Sequence, residues 1–322
     1  MISAIHKEYI EDRSFTSAEE FLKEISYGGS LYDSFNDQCF YRGHSDNSYL
    51  LLPSSLRLDC LYELDGGKST HDPNIYDESG MIGLEFDDLH KFFNLCNETH
   101  LCIPDIERIR KSFAMPSSFA TQTDKWLPDD LLELAALAQH HGIPTRLLDW
   151  TTNINVAIYF ASIGAIKKII SSDEIPESNI EIWGISSAIT IIDKQRLNSP
   201  LKIVRPNYCN NEFLSNQKGV FTYWEIDTPL GVKSNCKKKN EVTIDRTPLD
   251  KLLTDHLYSM NEGKLKFMYH FTIPCSEATG LYRYACHNYC DAAHLFPGYD
   301  GVVKCMQENK DCEIAEAILW GE

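Results

Sequence analysis

The 322 residues contain no Gly-x-Gly-x-x-Gly turn and no Gly-x-x-x-x-Gly-Lys-Ser/Thr loop, which removes the Rossmann and kinase-type readings. No apolar run approaches the roughly 20 residues that a bilayer requires. Met1 to Asp12 is mixed polar and charged, without the apolar centre of a secretory signal, so a soluble, cytoplasmic protein is expected. Internal repeats and low-complexity segments are missing too. The eleven cysteines never pair as Cys-x-x-Cys, and although Cys286 and Cys290 flank His287, no second pair follows at ligand spacing. Reduced thiols used as small hydrophobes are the expectation, not a disulfide framework or structural zinc. Asp, Glu and His form no ligand-spaced cluster, so no metal is expected.

Positive charge is scarce: 30 Lys and Arg stand against 47 Asp and Glu, a formal charge of −17. That balance works against tight, passive binding to nucleic acid, whose affinity comes from basic side chains on phosphates. A local groove can still differ from the average, and an acidic surface suits docking with a basic partner such as an inhibitor or chaperone. The dense basic run, Lys237 to Lys239 with Lys233 nearby, reads as a solvated loop.

What is present is an ordinary globular composition, 43% hydrophobic and 24% charged. Ser17 to Glu20 is a capping box before Phe21, Leu22 and Ile25, predicting a helix over about 17–26. Residues 38–43 read as a short strand, 62–80 as a surface excursion, and 82–97 as a helix with an apolar face. Pro128, Asp129 and Asp130 open a further helix that Gly142 ends. Thr145 to Thr151 reads as a buried strand, and Asn153 as the cap of a helix carrying Val156, Ala157, Phe160 and Ile163. Residues 180–186, 219–226 and 265–273 read as strands, 228–250 as loop, and the remainder as helical. Helices followed by strands predict α+β rather than alternating βαβ.

Three stretches resemble the FRG domain. The first is Tyr41-Arg42-Gly43-His44-Ser45, with Tyr41 where the family usually has phenylalanine, followed by Leu52-Pro53-Ser54-Ser55-Leu56-Arg57. The second runs from Leu137-Ala138-Gln139-His140-His141-Gly142-Ile143-Pro144 through Thr145-Arg146-Leu147-Leu148-Asp149-Trp150-Thr151 into Ala157-Ile158-Tyr159-Phe160-Ala161. The third is Gln217-Lys218-Gly219-Val220-Phe221, without the arginine the family often places shortly before it, and with Phe296-Pro297-Gly298-Tyr299-Asp300-Gly301 further on. The resemblance implies one domain over 1–322, with a motif core over 38–305 and a helical segment over 1–37.

The order of these motifs is similar to that of ADP-ribosyltransferases, which implies a split mixed sheet with flanking helices and NAD as substrate. In that superfamily an arginine or histidine on a first strand comes first. A Ser/Thr strand leading into a helix with Ala-x-x-Phe-Ala comes second, and a strand presenting a catalytic Glu or another polar residue third. On this resemblance Arg42 binds the pyrophosphate through parallel hydrogen bonds. Gly43 lets the backbone approach the dinucleotide, and His44 belongs to the same binding strand. Thr151 and Thr152 hold the nicotinamide ribose or brace the third motif. Trp150 or Tyr159 stacks on nicotinamide, and Glu212 or Gln217 stabilises the oxocarbenium-like centre. Plainer roles stay open: His140 and His141 as helix-terminal residues, Asp149 as a structural partner of Arg146, and Trp150, Tyr159 and Phe160 as core. The resemblance also implies a toxin or phage-defence setting, an RNA, DNA or protein acceptor, and a possible antitoxin. A non-catalytic nucleotide- or nucleic-acid-binding module and an NAD hydrolase remain the alternatives.

Overall fold

A computed structural model of the chain describes residues 8–35, 39–57, 78–103, 106–113, 125–172, 174–189, 199–206, 212–227, 244–260 and 266–321. Its strands are β1 (Ile10–Ser14), β2 (Cys39–His44), β3 (Lys125–Trp126), β4 (Leu148–Thr151), β5 (Asn179–Ser186), β6 (Leu201–Val204), β7 (Gly219–Trp224), β8 (Ile226–Asp227) and β9 (Met268–Pro274). The helices are α1 (Ala18–Ile25), α2 (Tyr32–Phe35), α3 (Glu78–Glu98), α4 (Ile106–Phe113), α5 (Leu132–His140), α6 (Ile154–Ser172), α7 (Glu212–Asn216), α8 (Leu249–Ser259), α9 (Ala278–His287), α10 (Ala292–Leu295) and α11 (Tyr299–Trp320). The expected excursion at 62–80 lies, apart from 78–80, outside the described residues, as does 228–243 of the loop expected over 228–250; the rest of that loop is irregular as far as Pro248, and α8 begins at Leu249.

Seven strands form one mixed sheet in the order β1-β9-β5-β2-β4-β7-β6, parallel only where β1 meets β9. The α+β reading therefore holds at the level of a single mixed sheet with helices against it. The ladder is uneven: β2 pairs with β5 along its whole length, but with β4 only at Tyr41–Thr151. Beside that one pair the two strands part, and the sheet becomes two halves joined at a point, β1-β9-β5-β2 and β4-β7-β6.

Strand alternation sends successive side chains to opposite faces. On one face Cys39, Tyr41, Ile180, Ile182, Phe271 and Ile273 meet Val156, Ile158 and Ile166 of α6, with α9 and α11 packed outside that helix. On the other, Phe40, Trp150, Trp183, Ile185, Val220 and Met268 meet Leu249, Leu253 and Leu257 of α8. A third cluster sets α3, α4 and α5 on the β7 half through Phe86, Phe93, Ile109, Leu134, Phe221 and Tyr223. Two helical layers thus cover the two half-sheets and leave a gap above their junction.

Local chemistry explains the elements and two departures from expectation. Ser17 caps α1 by accepting from the Glu20 N–H at 3.2 Å, while the Glu20 carboxylate turns to Thr16 rather than closing the reciprocal box. The strand expected over Thr145–Thr151 is only Leu148–Thr151. Thr145 turns the chain instead, its hydroxyl accepting from the Leu147 N–H at 3.1 Å and its own N–H donating to Ser54 Oγ at 3.2 Å. Asn153 accepts from the Asn155 N–H at the start of α6. That helix is long and apolar enough to cross a membrane, with a mean hydropathy of 1.4. Here it is packed between the sheet and α9, and 61% of its apolar window is buried, as in the core helix of a globular fold.

Tyr159 shows how that packing handles charge. Its hydroxyl donates to Glu308 of α11 at 2.8 Å inside the core, with Lys304 at 4.0 Å from the carboxylate. Burial pushes the Glu308 carboxyl above its ordinary range, opposed by Tyr159 and Lys304. A carboxyl whose pKa is raised by folding stabilises the fold below its unfolded pKa and loses that contribution as pH rises through the folded value. Glu308→Gln keeps the hydrogen bond and removes the buried charge. Urea denaturation should show the variant gaining stability over the parent at pH 8 and not at pH 4; an equal difference at both would disprove this account.

Candidate functional site

The gap above the β2/β4 junction is a cleft of about 320 Å³. Tyr41, Asp149, Thr151, Gly219 and Phe221 form its floor, with Val156, Ala157 and Phe160 of α6 on one wall and His140, Leu214 and Gln217 on the other. Stretches more than 170 residues apart in sequence therefore meet at one place, because antiparallel pairing carries Tyr41 to Thr151 and Thr151 to Gly219.

Arg42 enters the cleft through the split. It alternates to the α8 face, yet where β4 departs from β2 its guanidinium turns into the opening, leaving 16% of the side chain exposed. Nη1 donates to the Asp149 carbonyl at 2.7 Å, and Nε donates to His44 Nε2 at 3.0 Å. The first bond satisfies a β4 carbonyl that the interrupted ladder would leave unpaired. Among the described residues nothing accepts from Nη2, and Arg42 lines the cleft. The Asp149 carboxylate stands 3.7 Å from Nη1 and is 58% exposed. Asp149 is thus the partner of Arg42 and not, as one reading of the sequence had it, of Arg146.

Arg146 is committed elsewhere. Its Nε donates to the Glu85 carboxylate at 2.9 Å, its Nη2 pairs with Glu78, and Trp126 Nε1 donates to Glu85 at 2.5 Å. This buried set pins α3 to the chain just before β4. Breaking such a set by removing one partner leaves uncompensated buried charge. Arg146→Met should therefore lower unfolding free energy by about 3–5 kcal/mol; a loss under about 1 kcal/mol in chemical denaturation would show the pair to be incidental.

The other expected site residues divide sharply. Trp150 lines the cleft but is buried, its indole N–H donating to Thr222 Oγ1 at 2.8 Å, so its ring is anchored in the sheet. The Thr151 hydroxyl donates to the Gln217 carbonyl at 2.8 Å and accepts from the Asn153 N–H, which makes it the brace of the third motif. Gln217 lines the cleft, whereas Glu212 is exposed on α7 and does not. Thr152 does not line the cleft; its N–H donates to the Lys218 carbonyl at 3.1 Å. Tyr159 cannot stack on a ligand there, being fully buried against Glu308 on the far side of α6. His44 is buried beneath Arg42 and reaches the cleft only through it.

Gly43 lines the cleft and has a packing reason as well. A Cβ there would lie 2.1 Å from the Ala157 carbonyl oxygen and 2.8 Å from Ala161 Cβ, so the glycine admits α6 against β2. That contact is backbone and cannot swing aside. Gly43→Ala should cost about 3 kcal/mol or more, the upper range for overpacking, visible as a fall in Tm; an unchanged Tm would mean that α6 is free to shift.

For His140 the sequence leaves capping, packing and a catalytic role open. It lies at the C-terminus of α5 on the cleft wall, its ring 5.8 Å from Phe213, and burial together with neighbouring His141 lowers its pKa against the pull of Asp149. Sequence reasoning missed Glu181 and His270 altogether. Both are buried beneath His44, and the available signal was a lone Glu in the otherwise apolar strand at 180–185.

Residues 37–168 match the FRG domain, a span that contains β2, α5, β4 and most of α6 and so supplies most of the cleft. The match supports placing the chain with the FRG-domain family. No curated protein and no solved structure gives a significant match.

Proposed function

We propose that the cleft binds NAD and that the protein transfers ADP-ribose from it to a macromolecule, a nucleobase in RNA or DNA or a protein side chain. One observation carries this reading. At the parting of β2 and β4 a guanidinium held by two hydrogen bonds lines a cleft that all three motifs share, and its Nη2 has no acceptor among the described residues. A fixed arginine fork of this kind suits phosphate oxygens. The cleft volume, at the low end of small-molecule sites, suits the nicotinamide–ribose end of the dinucleotide. Phe160, 39% exposed on the α6 wall, offers an aromatic surface in place of Tyr159.

In the proposed reaction the bond between ribose C1′ and the nicotinamide nitrogen breaks, and its electron pair leaves with nicotinamide. The acceptor nucleophile then bonds to C1′ and loses its proton. Positive charge builds on the ribose in between, and oxygen atoms aimed at it lower the barrier. Gln217 and Asp149 line this cleft and carry side-chain oxygens, and Glu212 does not line it. Gln217 is therefore the better candidate for the third motif, and Thr151 acts by holding it. A toxin or defence role, with an antitoxin or chaperone on the acidic surface, belongs to the same reading.

Incubating the protein with labelled NAD and whole-cell lysate, then digesting with nuclease or protease, tests it. Label removed by one of the two identifies the acceptor class. Arg42→Ala should abolish labelling, and Gln217→Ala should lower it by about 100-fold, with Glu212→Ala close to the parent. Free ADP-ribose without labelled macromolecule would show hydrolysis instead. Intact NAD and no label would leave a binding module as the better account.

A further inference from the structure

Beneath the cleft lies a row of ionisable groups, buried at His270, Glu181 and His44 and open to solvent at Asp12, for which the proposed reaction has no direct use. It crosses four strands on the α8 face. Asp12 of β1 meets His270 Nδ1 at 3.0 Å, and His270 Nε2 meets Glu181 of β5 at 2.9 Å. The second Glu181 oxygen meets His44 Nδ1 at 3.3 Å and accepts from Trp183 Nε1 at 3.0 Å, and His44 Nε2 accepts from Arg42 Nε at 3.0 Å. Trp183 stacks on His270 with ring centroids 4.1 Å apart.

The partners determine where the protons are. Arg42 Nε can only donate, so His44 Nε2 is bare and its proton sits on Nδ1, aimed at Glu181. His270 stands between two carboxylates and donates from both nitrogens as an imidazolium. Burial raises Glu181, but hydrogen bonds from His270, His44 and Trp183 outweigh it and hold its pKa down at about 2. The row therefore alternates in charge from Asp12 to Arg42, with one neutral member, His44. Every rotatable partner of the Arg42 Nε edge is fixed by the next residue along.

Taking Arg42 as the anion contact of the proposed reaction, we propose that His44 is its positioning residue. As a neutral imidazole held by Glu181, it fixes the Arg42 fork toward the cleft, and on gaining a proton it releases that fork. Protonated His44 would set an N–H against the Arg42 N–H across 3.0 Å, two donors and two cations facing each other. The groups around it are Arg42 on its own strand, Glu181 across the β2/β5 pair, Arg57 nearby, and the Tyr49 ring edge at 6.1 Å, with His270 and Asp12 one step further along the row. Burial, with Arg42 and Arg57, lowers the His44 pKa and outweighs the opposing pull of Glu181. The release thus falls below the ordinary histidine pKa of about 6.5, while the aligned state prevails above it. His270, raised by Glu181 and Asp12 against burial, keeps its charge through that change.

Two measurements on the full chain decide this separately from the function. In the first, nitrogen-15 NMR of the histidines and of the arginine Nε groups follows the unmodified protein from about pH 8 to pH 5. The Nδ1–H tautomer of His44 is expected at the upper end, with Arg42 Nε–H protected from solvent exchange until His44 titrates. An Nε2–H tautomer, or protection indifferent to that titration, overturns the proposal. In the second, ADP-ribose is titrated calorimetrically over the same range. The parent should weaken about tenfold as His44 protonates, as should His140→Asn, which removes the histidine that lines the cleft. His44→Gln, neutral throughout, should bind like the parent at the upper end and stay flat. The same fall in His44→Gln overturns the proposal. If ADP-ribose binds at no pH, the NAD reading fails, and the NMR titration still decides the role of His44.

Discussion

An antiparallel sheet that stops pairing partway along a strand exposes backbone carbonyls and amides with nowhere to go, and the guanidinium of Arg42 is what this fold places at that defect. The ladder between β2 and β4 survives only at Tyr41–Thr151. Beside it the Arg42 side chain reaches across and takes the Asp149 carbonyl. A charged donor in such a place makes a stronger bond than a neutral amide would. It also leaves a second edge over, because a guanidinium has more donors than one orphan carbonyl can use. The opening of the sheet, the cleft and the presentation of a cation in it thus have one origin.

Much of what looks like site chemistry in the sequence holds this opening in shape. Gly43 lets α6 lie against β2, Thr151 ties β4 to the Gln217 carbonyl, and Trp150 is anchored to Thr222 one strand further on. Arg146 and Glu85 lock α3 behind β4 beside the third cluster. The residues left facing the cleft are fewer: Asp149 on the floor, with Arg42, His140, Phe160 and Gln217 around it, are the ones with polar or aromatic chemistry to offer. A motif can be dense because its residues build one another's geometry, and only a minority of them need touch a ligand.

The elements were legible from the sequence where a single local signal dominated. Ser17 announced α1, and the apolar run in 180–186 announced β5. Thr145 misled because its apolar neighbours resembled a strand while its hydroxyl was binding the backbone two residues on, the local competition that turns threonine away from a ladder. The floor of the cleft was legible through the resemblance, which grouped Arg42, Thr151 and Gln217. Which way each side chain points was not. Tyr159 and Phe160 are neighbours on α6, yet helix geometry turns one to Glu308 and the other to the cleft. Glu181 and His270 were illegible for a different reason: their partners are brought together by strand order, and strand order is not written in any local pattern.

The same geometry bears on what kind of ligand the cleft favours, whatever reaction follows. Asp149 places a carboxylate 3.7 Å from the Arg42 fork, but on an exposed side chain that is free to rotate away. A weak monovalent anion gains little by displacing it, since one exposed ion pair replaces another of similar strength. A ligand with several phosphate oxygens can use the free Nη2 edge and the Nη1 edge together, and its remaining atoms can reach the apolar walls at Val156, Ala157 and Phe160. On the proposed reading of the cleft, Asp149 would act as a filter against small anions on a protein whose net charge of −17 already repels them at long range. A cleft built in this way discriminates by the number of anchoring points a ligand brings and by its apolar surface, and net attraction contributes least.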